Sequence, residues 1–335
     1  MKRIISLLLA LALTLSLTAC TAPAEKADGE KLQIVTTLFP YYDFARAIAQ
    51  DRADVTLLLS PGREAHSFEP TPLDAVTISE ADVFLYNGGE GEYWVDSMLG
   101  AAGENIAVVA RMMDYVDALN EEYVEGMQGA DGHDHDHEHG SHDDHDHDHE
   151  EDEHDSDEIE YDEHIWTSPK NAVVLCRAVC GAICRADAEN AAFYRANCEN
   201  YCAQLEDLDA RFSVLCESAP RRLLIFADRF PMLYFCREYG LDYRAAFHGC
   251  SGDTEPSLAT IKFLIDKVED EDIPVVYTID FGTKKVAAVV SECTGAAIET
   301  LYSMQTVSRA DFDAGETYLT LMERNYEALR KGLNA

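Results

Sequence analysis

Residues 31–60 read KLQIVTTLFPYYDFARAIAQDRADVTLLLS. Lys31–Phe39 is an apolar run of strand length, Tyr41–Asp51 has helical character, and Ala53–Ser60 returns to β-branched and aliphatic residues. Strand, helix and strand in so short a stretch point to neighbouring parallel strands covered by helices. The alternation continues. Thr71–Ala81 opens with Thr, Pro and Asp as a helix does, Asp82–Gly89 is a strand ending in glycines, Tyr93–Ala102 is a helix and Asn105–Ala110 a fourth strand.

A second block repeats the pattern. Strands are predicted over Arg222–Ala227, Leu241–Phe247, Pro274–Asp280 and Ala297–Tyr302, and helices over Pro231–Tyr239, Pro256–Val268, Thr283–Cys293 and Gly315–Leu333. Between the blocks, Ser168-Pro169 opens a helix to about Arg185, and Asp187 is expected to cap a longer one. In that helix Tyr194, Cys198, Tyr201, Leu205, Leu208, Phe212 and Leu215 alternate spacings of four and three, forming a long apolar seam. Its place between two strand–helix blocks suggests packing along both. The expected fold is α/β: two lobes, each a four-stranded mainly parallel sheet with helices on both faces, joined by a long linking helix. The expected bounds are 31–167, 168–218 and 219–335.

The N-terminus has the basic, apolar and small-residue sections of an export signal over residues 1–20. Its Leu-Thr-Ala-Cys ending resembles a bacterial lipobox, which would lipidate Cys20 and anchor the chain outside the cell, with residues 21–30 as a flexible tether. The net charge of −37 excludes a nucleic-acid partner and favours cations. Much of it sits in Asp131–Glu158, which carries nine histidines: His133, His135, His137, His139, His142, His145, His147, His149 and His154. With no Lys, Arg or aromatic residue, residues 129–158 are expected to be disordered. They read either as a solvated acidic linker or, since a His recurs at nearly every second position, as a metal-collecting loop.

Apart from Cys20 there are nine cysteines, an odd number for an exported chain. Cys176, Cys180 and Cys184 recur every fourth residue, as do Cys198 and Cys202, a spacing that lines one helix face where a thiol packs as a small hydrophobe. No C-x-x-C pair supports a structural zinc site.

Ligands in parallel α/β sheets gather beyond the carboxyl ends of strands. Outside the acidic run the chain has three histidines, His66, His164 and His248, and each is expected in a loop at such an end. Asp228, Asp280 and Tyr302 end strands of the second block. AHSFEP (65–70) and YDEHIWTSPKNA (161–172) resemble the two histidine motifs of the metal-binding lipoproteins that deliver zinc or manganese to ABC importers, and FADRFPMLYFCREYGL (226–241) is similar to a third motif. The resemblance covers residues 31–335. It implies a monomeric receptor holding Zn2+, or Mn2+, through His66 and His164, and docking on an import permease. The chain departs from the pattern at Ala227, where a His or Glu is expected, and at Tyr302, where an acidic ligand is expected. The second lobe must then supply Asp228, His248 or Asp280. Two other readings stand beside this one: a cell-surface metal store or adhesin of the same fold, and a zinc hydrolase, against which no His-Glu-x-x-His appears.

Overall fold

A computed structural model describes residues 31–65, 67–102, 105–128, 160–249, 251 and 255–334. Residues 1–30, with the lipobox Cys20, lie outside the described residues, as do His66 and the His-rich run 131–158. The first sheet comprises β1 (Leu32–Thr36), β2 (Ala53–Leu57), β3 (Val83–Tyr86) and β4 (Val108–Arg111). The second comprises β5 (Leu223–Phe230), β6 (Asp242–His248), β7 (Val275–Ile279) and β8 (Ala297–Leu301). Their orders are β2-β1-β3-β4 and β6-β5-β7-β8, with every pairing parallel. The two lobes therefore share one topology, and in each the direction of winding reverses beside the first strand. Crevices for ligands open at such points.

The helices are α1 (Phe39–Ala49), α2 (Pro72–Ser79), α3 (Val95–Ala102), α4 (Pro169–Ala186), α5 (Ala191–Ser218), α6 (Leu233–Tyr239), α7 (Leu258–Asp270), α8 (Lys285–Thr294), α9 (Arg309–Ala314) and α10 (Tyr318–Leu333). Local chemistry sets their starts. Thr71 and Asp74 form a reciprocal capping box at α2, and Ser168 accepts from the Asn171 N–H ahead of Pro169 in the first turn of α4. No helix among the described residues is long and apolar enough to cross a membrane.

Three local expectations are corrected. Asp187 ends α4 rather than capping α5: its carboxylate accepts from Asn190 Nδ2 (2.7 Å) and the Tyr194 hydroxyl (2.6 Å), and α5 starts after Asn190. The stretch Gly315–Leu333 is preceded by a separate helix, α9, which Gly315 terminates at φ 77° before Thr317 caps α10. Strand β5 runs on through Phe230, with an extra residue against β6 between Phe226 and Arg229.

The linking helix is α5. At one end Asn197 donates to the Ile48 carbonyl (2.9 Å) and Tyr201 to Asp43 (2.6 Å), both on α1 of the first lobe. At the other, Asp209 accepts from Tyr239 (2.8 Å), and Phe212 packs edge-on to Phe235 (4.9 Å). One apolar cluster runs from Leu32 to Leu333 through both lobes, and a second lies on the other face of the β5–β8 sheet. Along β5 the side chains alternate: Leu224 and Phe226 join the first cluster, Ile225 and Ala227 the second.

Candidate metal centre

His164 follows a segment that enters from the first lobe and is fastened on every side. The Asp162 N–H donates to the Leu119 carbonyl (2.9 Å), and the Asp162 carboxylate accepts from the His164 N–H (2.7 Å). Both the Thr167 N–H (3.1 Å) and hydroxyl (2.8 Å) donate to the His164 carbonyl. The second lobe holds the same segment. Tyr234 donates to the Asp162 carbonyl (2.8 Å), Trp166 Nε1 donates to the Ser303 carbonyl (2.7 Å), and the Tyr318 hydroxyl donates to the Trp166 carbonyl (2.7 Å). His164 is 1% exposed, its Nδ1 lies 3.2 Å from Asp162 Oδ1, and its ring meets Trp166 edge-on at 5.6 Å. A carboxylate on Nδ1 fixes the tautomer and leaves Nε2 as a lone-pair donor. Gly249 packs on the ring so closely that a Cβ there would stand 3.0 Å from Cε1.

Beside His164 is a cavity of about 20 Å³ between the lobes. Glu64 and His164 line it from one side; Arg229, Ile279, Phe281 and Ser303 are among its walls on the other. Such a volume holds one water-sized species, the scale of a single ion. Burial by itself would lower the pKa of His164, but Asp162, Glu121 and Glu163 outweigh it and the net shift is upward. The acidic groups around His164 thus favour positive charge on its ring.

His66 is not described, but its loop reaches this cavity through Glu64. Ala65 and Phe68 on either side are buried, and Phe68 packs edge-on to Trp94 at 5.4 Å. Asp228 lies in β5 and does not cap α6, whose cap is Met232. Its Oδ1 accepts from the Arg229 N–H (2.9 Å), while Oδ2 is buried against Gly282 with no hydrogen-bond partner among the described residues. Burial raises its pKa against the pull of the Arg229 and Ile279 backbone. Asp280 follows β7 between two cavity-lining residues and accepts from the Ser303 N–H (3.2 Å); burial pushes its pKa up to about 7. His248 turns to Glu121 (3.6 Å) and the ring of Tyr123 (5.1 Å). Ala227 packs into the second cluster, and Tyr302 lies under the Arg324 guanidinium. Among the described residues, His164, Asp228, His248 and Asp280 do not form a group of three with ligand atoms mutually within 4.8 Å.

A family model described as "ZnuA: Zinc-uptake complex component A periplasmic" matches residues 34–332. The chain belongs to this family. It is 30% identical over 316 residues to the high-affinity zinc uptake system protein ZnuA of Bacillus subtilis (strain 168), covering 93% of this chain and 91% of that one. It is also 30% identical over 332 residues to the zinc-binding lipoprotein AdcA of Streptococcus pneumoniae (strain ATCC BAA-255 / R6), of which it spans 61%. The crystal structure of the metal-dependent lipoprotein YcdH from Bacillus subtilis superposes with a TM-score of 0.72 at 29% identity, covering 90% of this chain and all of that one. The two relatives matched by sequence are named for zinc uptake and zinc binding.

Sequence reasoning missed four residues that shape the cavity. Asp162 orients His164, and Glu121 adds negative charge near it. Arg229 pairs across the lobes with Glu64 (3.0 Å). The spacing Asp-x-His at 162–164 was a visible signal for the first of these. Glu121 and the Glu64–Arg229 pair required the tertiary fold, because their partners lie far away in the chain.

Proposed function

We propose that this chain is an extracytoplasmic receptor that captures Zn2+ between its lobes and passes it to the permease of an ABC importer. The observation that carries this reading is His164: buried, oriented by Asp162, and facing a cavity sized for one ion. In this reading His66 and His164 bind from the first lobe, and Asp228 or Asp280 completes the site from the second, with His248 as an alternative. Zinc favours four N, O or S ligands in a tetrahedron, and two imidazoles favour it over manganese. A lipid on Cys20 would hold the receptor, a monomer, at the outer face of the membrane. The test is a zinc titration against a competing chelator, followed by zinc uptake into vesicles bearing the importer. One tight equivalent per chain and receptor-dependent uptake are expected; absence of either overturns the reading.

The His-rich segment collects ions in this scheme without forming the principal site. A chain lacking residues 129–158 is expected to keep one tight equivalent and lose several weaker ones in calorimetry. Loss of the tight equivalent would mean that the segment supplies a ligand. Binding is also expected to be coupled to protons. A protonated imidazole cannot ligate, and the pKa of His164 is raised, so affinity falls with acidification from a higher pH than an ordinary His would require. The metal-free protein has the opposite sign. Its stability from His164 is full below the ordinary imidazole pKa and is lost as pH rises through the raised value. Calorimetry in buffers of different ionisation enthalpy reads the released proton.

Asp228 is the sharpest choice among the second-lobe donors. A buried carboxylate oxygen without a partner is costly, and a bound cation would relieve it. Asp228→Asn keeps the bond to the Arg229 N–H and removes the charge. If Asp228 binds zinc, affinity is expected to drop about tenfold or more, as for other changes at metal sites. Parent-like binding by Asp228→Asn, with loss in Asp280→Asn or His248→Ala, would transfer the role.

A further inference from the structure

The α4–α5 hairpin carries a second cluster of donors, unrelated to the cavity at His164. The eight described cysteines are all free thiols, and five of them face one another across these two helices. The sulfurs of Cys176, Cys198 and Cys202 lie mutually within 4.8 Å, the one group of three metal-ligating side chains this close among the described residues. Cys198 and Cys202, one helical turn apart, stand 3.8 Å from each other. Sulfurs bound to one ion at about 2.3 Å are separated by about 3.8–4.0 Å, so the trio needs only rotamer adjustments to close on a metal.

A path leads to the trio. A groove of about 400 Å³ between the helices is lined by Cys180, Cys184, Cys198 and Cys202, with Arg177 and Arg195 on its walls. Cys184 is half-buried and stands 3.9 Å from Cys180, which lines the same groove as Cys198. The thiols thus form a ladder from the groove to the interior, along which an ion could move by exchanging one sulfur for the next. With protons on, Cys198 donates weakly to the Cys176 carbonyl (3.8 Å) and Cys202 to the Val173 carbonyl (3.9 Å). Inert packing would need only this. Packing alone does not require three sulfurs to converge from two helices.

We propose that Cys176, Cys198 and Cys202 form a second metal site, a buried three-thiolate centre for a soft, thiophilic ion such as Cu+, Cd2+ or Zn2+, loaded through Cys184 and Cys180. Binding forms three metal–sulfur bonds and releases the thiol protons to solvent, with no change of oxidation state.

The probe is Cd2+, added to the reduced full chain under anaerobic conditions. An ultraviolet sulfur-to-cadmium charge-transfer band is expected to saturate at the intensity of one three-sulfur centre per chain. It should persist in the control Cys216→Ala/Cys236→Ala/Cys293→Ala and vanish in Cys176→Ala/Cys198→Ala/Cys202→Ala. Imidazole and carboxylate sites give no such band, so the outcome at His164 is read separately. Cadmium X-ray absorption, taken with enough Cd2+ to fill the histidine sites as well, detects sulfur neighbours: their presence in the parent and loss in Cys176→Ala/Cys198→Ala/Cys202→Ala support the proposal, and nitrogen and oxygen neighbours alone in the parent overturn it. A band of parent strength in the folded triple variant overturns it as well.

Discussion

Replacing His164 by Ala, in a chain without residues 129–158, is expected to abolish tight zinc binding. Removing only a partner that orients a ligand costs roughly 10–100-fold in affinity, so removing the ligand itself should cost more. Asp162→Asn supplies the internal scale. It keeps the shape of the residue beside His164 Nδ1 and weakens the bond that fixes the tautomer, and a loss within that range is expected. His66→Ala is expected to resemble His164→Ala. Chelator competition measures all three, and circular dichroism checks the fold. Nanomolar binding by His164→Ala would remove the basis for placing zinc in this cavity.

The second large effect is on stability. Trp166 is fully buried two residues after His164, edge-on to Tyr41 (6.3 Å) and bonded through Nε1 to the Ser303 carbonyl. Trp166→Ala is expected to lower the unfolding free energy by about 3–5 kcal/mol, from lost burial and the cavity left behind. It would also leave the Ser303 carbonyl without that donor. Because Ser303 donates its N–H to Asp280, the loss should extend into the second lobe's wall of the cavity and weaken zinc binding too. Trp166→Phe restores most of the volume and not the N–H, so it separates the two contributions. Denaturant unfolding at constant slope is the measurement.

The strand–helix alternation made the fold legible, because buried parallel strands such as VVYTI at 275–279 are apolar throughout and contrast with amphipathic helices. Errors fell at boundaries, where one side chain decides. Asp187 has the chemistry of a helix cap, yet Tyr194 and Asn190 engage it from the following turn. At the candidate site, the position of His164 on the cavity wall was legible from its motif. The second lobe was not. Whether Asp228 faced a helix end or a strand depended on an extra residue in β5, and period-two alternation could not show it. The thiols were legible as a helical stripe but not as a trio, since only the angle between α4 and α5 brings Cys176 to the other two.

The 28 residues of α5 span about 42 Å at 1.5 Å per residue, and all of their buried side chains but Ala191 belong to the cluster shared by both sheets. Melting of either half is therefore expected to strip packing from the cluster that the other half shares. The two lobes are expected to unfold as one cooperative unit, and a fragment ending before α5 or starting after it would lack part of the surface against which its own sheet is packed.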